Sequence, residues 1–233
     1  MRTVPNPQGS RWEKLEDRYA LAAILIVASI ITYAVAGDHW FGQLAVVVVQ
    51  SITMIVILHA SRVSRRSIRM ACILIGAALV ATIISTTLDR QRVGLGLAGC
   101  LLAFMGPVVI IRRVLTHAKI DLSTVAASLC IYLLAGFFFA YVFRIIDIVH
   151  PGFFAQRHSG GSAVDFLYFS FTTLTTTGYG DLTARRDLGR MLAISEALLG
   201  QLYLVSVVAL LVANLGRPRG AARGAEVLEP DDQ

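Results

Sequence analysis

Thr173-Leu174-Thr175-Thr176-Thr177-Gly178-Tyr179-Gly180-Asp181 lies between two hydrophobic runs near the C-terminal end of the chain. Read as chemistry, it is a run of backbone carbonyls bracketed by threonine hydroxyls and glycines. A residue without Cβ adopts φ > 0 at little cost, and this lets consecutive carbonyls point the same way. Four such strands around one axis would replace the water shell of a dehydrated cation. A glycine-rich surface turn after a helix would use similar residues, but this loop sits in a span–loop–span context.

Outward from the loop, the chain reads as an all-α membrane protein. Of its 233 residues 56% are hydrophobic and 15% charged, and the mean hydropathy is +0.68. Hydrophobic runs of about 18 residues or more indicate transmembrane helices rather than core strands. Five such runs are 19–36, 41–59, 68–87, 93–111 and 191–215. A sixth, 122–149, is longer and crosses with tilt, its outer end carrying Arg144 and Asp147 into the headgroups. The apolar run 166–175 is too short to span and reads as a re-entrant helix, tolerated at membrane depth only when buried in protein. Cys72, Cys100 and Cys130 all fall inside apolar runs and read as small hydrophobes, with no disulfide framework. The first run exceeds a typical signal core and has no small-residue cleavage site after it, so it reads as an uncleaved signal-anchor.

The net charge of +6 is a topology signal rather than a nucleic-acid signal. Arg2, Arg11, Lys14 and Arg18 precede the first run, and Arg62, Arg65, Arg66 and Arg69 separate the second and third. Arg112, Arg113 and Lys119 separate the fourth and fifth, and Arg217, Arg219 and Arg223 follow the last. If six helices alternate, all these segments share one side, and the positive-inside rule puts both termini in the cytoplasm. The loop at 173–181 then faces outward.

The stretch Thr176-Thr177-Gly178-Tyr179-Gly180 resembles the selectivity filter of potassium channels, whose usual core is Thr-Val-Gly-Tyr-Gly. Thr177 stands where Val is usual. The resemblance covers the C-terminal two-fifths of the chain. It extends to Glu196 through Tyr203 and to Tyr132-Leu133-Leu134-Ala135-Gly136, which look like helices of prokaryotic two-helix-pore channels. It implies a pore helix and filter loop between spans five and six, in a prokaryotic plasma membrane. No internal repeat of the filter occurs, so the resemblance implies a homotetramer closed by a cyclic heterologous interface. Potassium is then the permeant ion, held at Thr176, Thr177, Gly178, Tyr179 and Gly180, and no cofactor is implied.

The same resemblance assigns supporting roles. Asp165 or Ser162 N-caps the pore helix, whose C-terminal end directs partial negative charge at the central cavity. Thr176 ends the helix and lends its hydroxyl to the innermost cation site, and Asp181 lies at the outer mouth. Tyr168 and Phe169 stand where two tryptophans usually brace the filter tyrosine. Phe169 offers Tyr179 no donor, while Tyr168 can reach Asp181. Thr172 stands where some potassium channels carry a buried glutamate. Gly200 follows Asp181 by 19 positions, the usual place of a hinge glycine, with close helix packing as the other reading. Glu196, an ionisable group inside a span, must face protein or water, and is expected behind the filter against a re-entrant helix.

The front half carries fewer signals. The layout is that of voltage-gated potassium channels, yet 93–111 has no charge between its ends, and Arg112 and Arg113 only cap it. Gly94, Gly96, Ala98, Gly99, Gly106 and Pro107 give it a small face suited to close packing. Gln50, Ser51 and Thr53 are read as making hydrogen bonds between helices. His150 and His158 are read as solvated loop residues. The domains expected are a cytoplasmic segment 1–18, a sensor-shaped four-helix domain 19–111, a linker 112–122, a pore domain 123–216 and a tail 217–233.

These readings favour a potassium channel that is not steeply voltage-gated. A weakly selective cation channel and a nonconducting scaffold or regulatory subunit of the same fold are the alternatives. An enzyme is not expected, because no span carries a metal-ligand cluster, a nucleophile with its base, or a phosphate-binding loop.

Overall fold

The structure, a computed structural model, describes residues 9–36, 40–61, 73, 76, 91–116, 122–157 and 160–215. Among these the secondary structure is six α-helices: α1 (Gly9–Ala36), α2 (Trp40–Ser61), α3 (Gln91–Thr116), α4 (Leu122–Val149), α5 (Ala163–Leu174) and α6 (Asp187–Leu215). The apolar run expected at 68–87 lies outside the described residues, except for Ile73 and Gly76.

Helix α4 coincides with its hydrophobic run, while other helices begin or end beyond theirs. Helix α1 starts at Gly9, ten residues before its apolar run, and α3 continues to Thr116, so Arg112 and Arg113 are helical. Helix α6 starts at Asp187, whose carboxylate stands in the first turn, where the helix dipole favours negative charge. Polar residues extend a helix freely once it leaves the apolar layer, so hydropathy marks the layer and not the helix. Two helices, Thr124–Val149 and Asp187–Val207, are long and apolar enough to cross a membrane. Tyr19–Val35, Leu44–His59 and Gly96–Arg112 are apolar but shorter.

Helix α4 is the centre of the fold. Helices α1 and α3 pack on it, with α2 against both, and α5 and α6 pack on it as well. One continuous core joins α1 through α5: Ile26 and Tyr33 of α1, Met54 of α2, Leu102 of α3, Phe137 and Tyr141 of α4 and Leu167 of α5. The front helices therefore cover α4 of their own chain. The small residues of α3 lie at this contact. A Cβ on Gly99 would run into the Tyr141 ring, and one on Gly106 into Leu134.

Of Gln50, Ser51 and Thr53 in α2, one reaches across. Gln50 Oε1 accepts from the Tyr141 hydroxyl at 3.1 Å. Ser51 and Thr53 instead donate back to their own helix, to Val47 O at 2.7 Å and Val49 O at 2.8 Å. The expectation of interhelical bonds is corrected for these two, because a short hydroxyl in a helix meets its own i−4 carbonyl first.

Candidate functional site

Helix α5 has 12 residues and, at 1.5 Å each, is about 18 Å long, well short of the apolar layer. Its N-terminus is fixed by a capping box: the Ser162 side chain accepts from Asp165 N, and Asp165 Oδ2 accepts from Ser162 N at 2.7 Å. Ser162 is thus the cap, and Asp165, the other candidate, completes it from the N3 position. Arg157 pairs with the second Asp165 oxygen at 2.9 Å.

The loop before α5 is stitched to the segment that follows the glycines. Arg185 N donates to Phe153 O at 2.7 Å and Ala155 N to Thr183 O at 2.9 Å. Gln156 adds two bonds to Thr183, from Nε2 to its hydroxyl and from its amide to Oε1. Asp147, at the outer end of α4, accepts from the amides of Gly152 and Phe153 at 3.1 and 2.9 Å. Beneath this frame Phe139, Phe143, Phe153, Phe154, Phe166 and Phe169 form a second core.

The C-terminus of α5 is a Schellman turn. Thr176 N donates to Thr173 O at 2.9 Å, and Thr177 N to Thr172 O at 2.8 Å. Thr176 occupies the left-handed position, at φ 57°, usually held by glycine. Gly178 and Gly180 follow at φ 49° and 81°, while Thr177 and Tyr179 between them keep negative φ. Positive and negative φ thus alternate over residues 176–180, a pattern that lets successive carbonyls turn to the same side. Residues 175–181 are all exposed in the single chain.

Side chains behind the strand sort into two groups. Tyr168 stacks on Tyr179 with ring centroids 6.3 Å apart and planes 6° from parallel, and its hydroxyl faces the Asp181 carboxylate. Thr172 works through its backbone: its carbonyl accepts from both Thr177 N and Gly178 N. Phe169 turns the other way, edge-on to Phe143 at 5.1 Å and Phe154 at 5.5 Å, so within this chain it braces the loop frame and not Tyr179. Arg185, Arg186 and Arg190 lie exposed around the same end, with Asp181 and Asp187 opposing them.

Glu196 is fully buried, between α6 and α5. Its Oε1 lies 2.5 Å from Ser170 Oγ, and Ser170 Oγ lies 2.7 Å from Gly136 O on α4. A hydroxyl has one proton and here meets two acceptors. The set closes when the carboxyl group itself carries a proton, so that Glu196 donates to Ser170 and Ser170 donates to Gly136. Glu196 Oε2 has no partner among the described residues. Gly200 sits mid-helix in an unbroken α6, and a Cβ there would run into the Leu174 carbonyl. The close-packing reading of Gly200 is the one that this contact explains.

Two residues at this site were given no role from the sequence. Ser170 looks like a tolerated small polar group among phenylalanines; the buried carboxylate was the signal that a donor had to exist. Tyr132 belongs to an apolar run, yet its hydroxyl donates to Leu174 O at 3.2 Å. His158 and Cys72 lie outside the described residues.

Residues 127–217 match the family model described as ion channel. The match takes in most of α4, all of α5 and the glycine loop, and α6. It spans about two-fifths of the chain and leaves the front helices uncovered. No curated protein and no solved structure matches the chain.

Proposed function

We propose that this chain is one subunit of a homotetrameric, potassium-selective channel. In this reading six spans place both termini in the cytoplasm of a prokaryotic plasma membrane, and α5 and the loop after it re-enter from outside. Thr176 to Gly180 supply the cation ligands: the Thr176 hydroxyl at the inner end, then the carbonyls of Thr177, Gly178 and Tyr179. Potassium is the permeant ion and no cofactor takes part. The observation that carries the reading is the alternation of backbone hand at residues 176–180, on an exposed strand held at the end of a short helix. The ion-channel match over the same residues supports it.

Conduction follows from geometry. Carbonyl dipoles fixed in advance replace hydration without reorganising as the ion arrives, and several adjacent sites let ions displace one another. The apolar surface that α6 leaves uncovered, including Ile194, Leu198 and Leu202, is available to other copies and to lipid.

The test is potassium flux from proteoliposomes, with and without an imposed voltage. Selective flux that is lost on Gly178→Asp, with the tetramer intact, is the expected result; undiminished selectivity in that variant would sink the filter assignment. A weakly selective cation channel is the second reading, favoured by Thr177 and by the absence of Phe169 from the Tyr179 contact. Reversal potentials in mixed potassium and sodium separate the two.

A further inference from the structure

Leu174 is the last residue of α5, and its carbonyl is the meeting point of three helices. The Schellman turn uses the carbonyls of Thr172 and Thr173. Gly178 N, which a continuing helix would direct at Leu174, bonds Thr172 O instead at 3.1 Å. The leftover Leu174 carbonyl is met by the Tyr132 hydroxyl from α4, at 3.2 Å. From the other side Gly200 of α6 approaches so closely that a Cβ would collide with the same oxygen. The Tyr132 ring is itself held. It stacks on Tyr203 of α6 with centroids 5.9 Å apart, and the Tyr203 hydroxyl donates to Ser128 O at 2.7 Å.

We propose that Tyr132 is a positioning residue for the innermost cation site, its hydroxyl fixing the Leu174 peptide from which Thr176 is hung. The proposal rests on the reading of residues 176–180 as the cation-binding strand. Its logic is local. Thr176 carries a branched side chain at φ 57°, a conformation that persists only where the surroundings over-determine it. The Schellman bonds fix one side of that turn, and Tyr132 and Gly200 fix the carbonyl two residues earlier. Helix ends leave such carbonyls without donors, and a donor from a neighbouring helix both satisfies this one and ties its orientation to α4. Gly200 serves as the seat for that carbonyl, without need of a bend in α6.

The experiment uses the full chain as a purified tetramer. Thermal stability is titrated with KCl and with NaCl at constant ionic strength, and reversal potentials are read in mixed ions. Wild type comes first: if it shows no preference of potassium over sodium in either measurement, the filter reading has failed, and this proposal with it. Given that preference, Tyr132→Phe keeps the stack on Tyr203 and removes only the hydroxyl. It should raise the half-stabilising potassium concentration by about fivefold, the worth of one neutral hydrogen bond, and shift the mixed-ion reversal potential toward sodium. Tyr203→Phe loses the bond to Ser128 at the other end of the joint; it should lower the melting temperature and leave the potassium half-point in place. Should Tyr132→Phe yield no tetramer, Gly200→Ala displaces the same carbonyl from the α6 side and is expected to move the half-point in the same direction. The proposal is overturned if Tyr132→Phe, or Gly200→Ala where that stands in, matches wild type in both readouts. It is equally overturned if Tyr203→Phe moves the potassium half-point as far as Tyr132→Phe does.

Discussion

Glu196 shows what a single residue demands of its surroundings. A carboxyl group at 0% exposure needs donors or its own proton. The three-oxygen relay through Ser170 to Gly136 provides for one of its oxygens and links α6, α5 and α4. Glu196→Gln keeps the shape and replaces the acid proton with an amide donor to Ser170, so tetramer and selective flux should survive. Glu196→Ala leaves Ser170 facing a cavity and removes a tie between α6 and α5, at a cost of about 1–3 kcal/mol for each group left unpaired. Lower thermal stability or reduced selectivity in the alanine variant alone is the expected pattern. Two variants both indistinguishable from wild type would make Glu196 a bystander. The need for a partner was legible in the sequence, since a carboxylate in an apolar run is costly. Its identity was not, because Ser170 and Glu196 meet only through the register of α5 against α6. The same holds for Phe169: position beside Tyr168 could not reveal that adjacent residues on a helix face in different directions, one to the loop tyrosine and one to the phenylalanine core.

At the scale of elements, the instructive helix is α3. Its described side chains from Gly96 to Ile111 are uncharged, and its glycines lie at the contact with α4. Pro107 is the one proline inside it; lacking an N–H, it deprives the Ala103 carbonyl of its usual donor. Arg112 is exposed in the last turns. Moving one charge across the membrane is worth about 2.3 kcal/mol per 100 mV, and α3 has no charge at membrane depth to move. Conductance should therefore depend weakly on voltage. Neutralising Arg112 and Arg113 together should alter insertion or expression more than the slope of the conductance–voltage curve. A steep wild-type curve that flattens in the double variant would show that these arginines carry gating charge. Element existence and order were legible for all six described helices, because apolar runs and their flanking charges are strong signals. The ends of α4 were legible as well; those of α1, α3 and α6 were not, because their polar ends carry no hydropathic mark.

For the whole molecule, the question is how far the two halves depend on each other. The front helices do not stand apart from α5: both share one core with α4. Tyr141 of α4 is held by Gln50 of α2 at 3.1 Å and stands edge-on to Tyr33 of α1, with ring centroids 6.2 Å apart. Its ring lies over Gly99, the one residue type that admits it. From there Phe137, one turn earlier on α4, meets Phe171 of α5 edge-on at 6.0 Å. A change at Gly99 should thus be felt at α5. Gly99→Val puts a branched side chain into the Tyr141 ring, and that ring cannot swing away without losing Gln50 and Tyr33. Over-packing of this kind costs about 1–3 kcal/mol, so the purified tetramer should melt several degrees lower. Tyr141→Phe in the same background frees the ring from Gln50 and should recover part of the loss, whereas Tyr141→Phe alone should only destabilise. If Gly99→Val melts with wild type, the two halves are not packed as described, and α4 must be covered by some other surface.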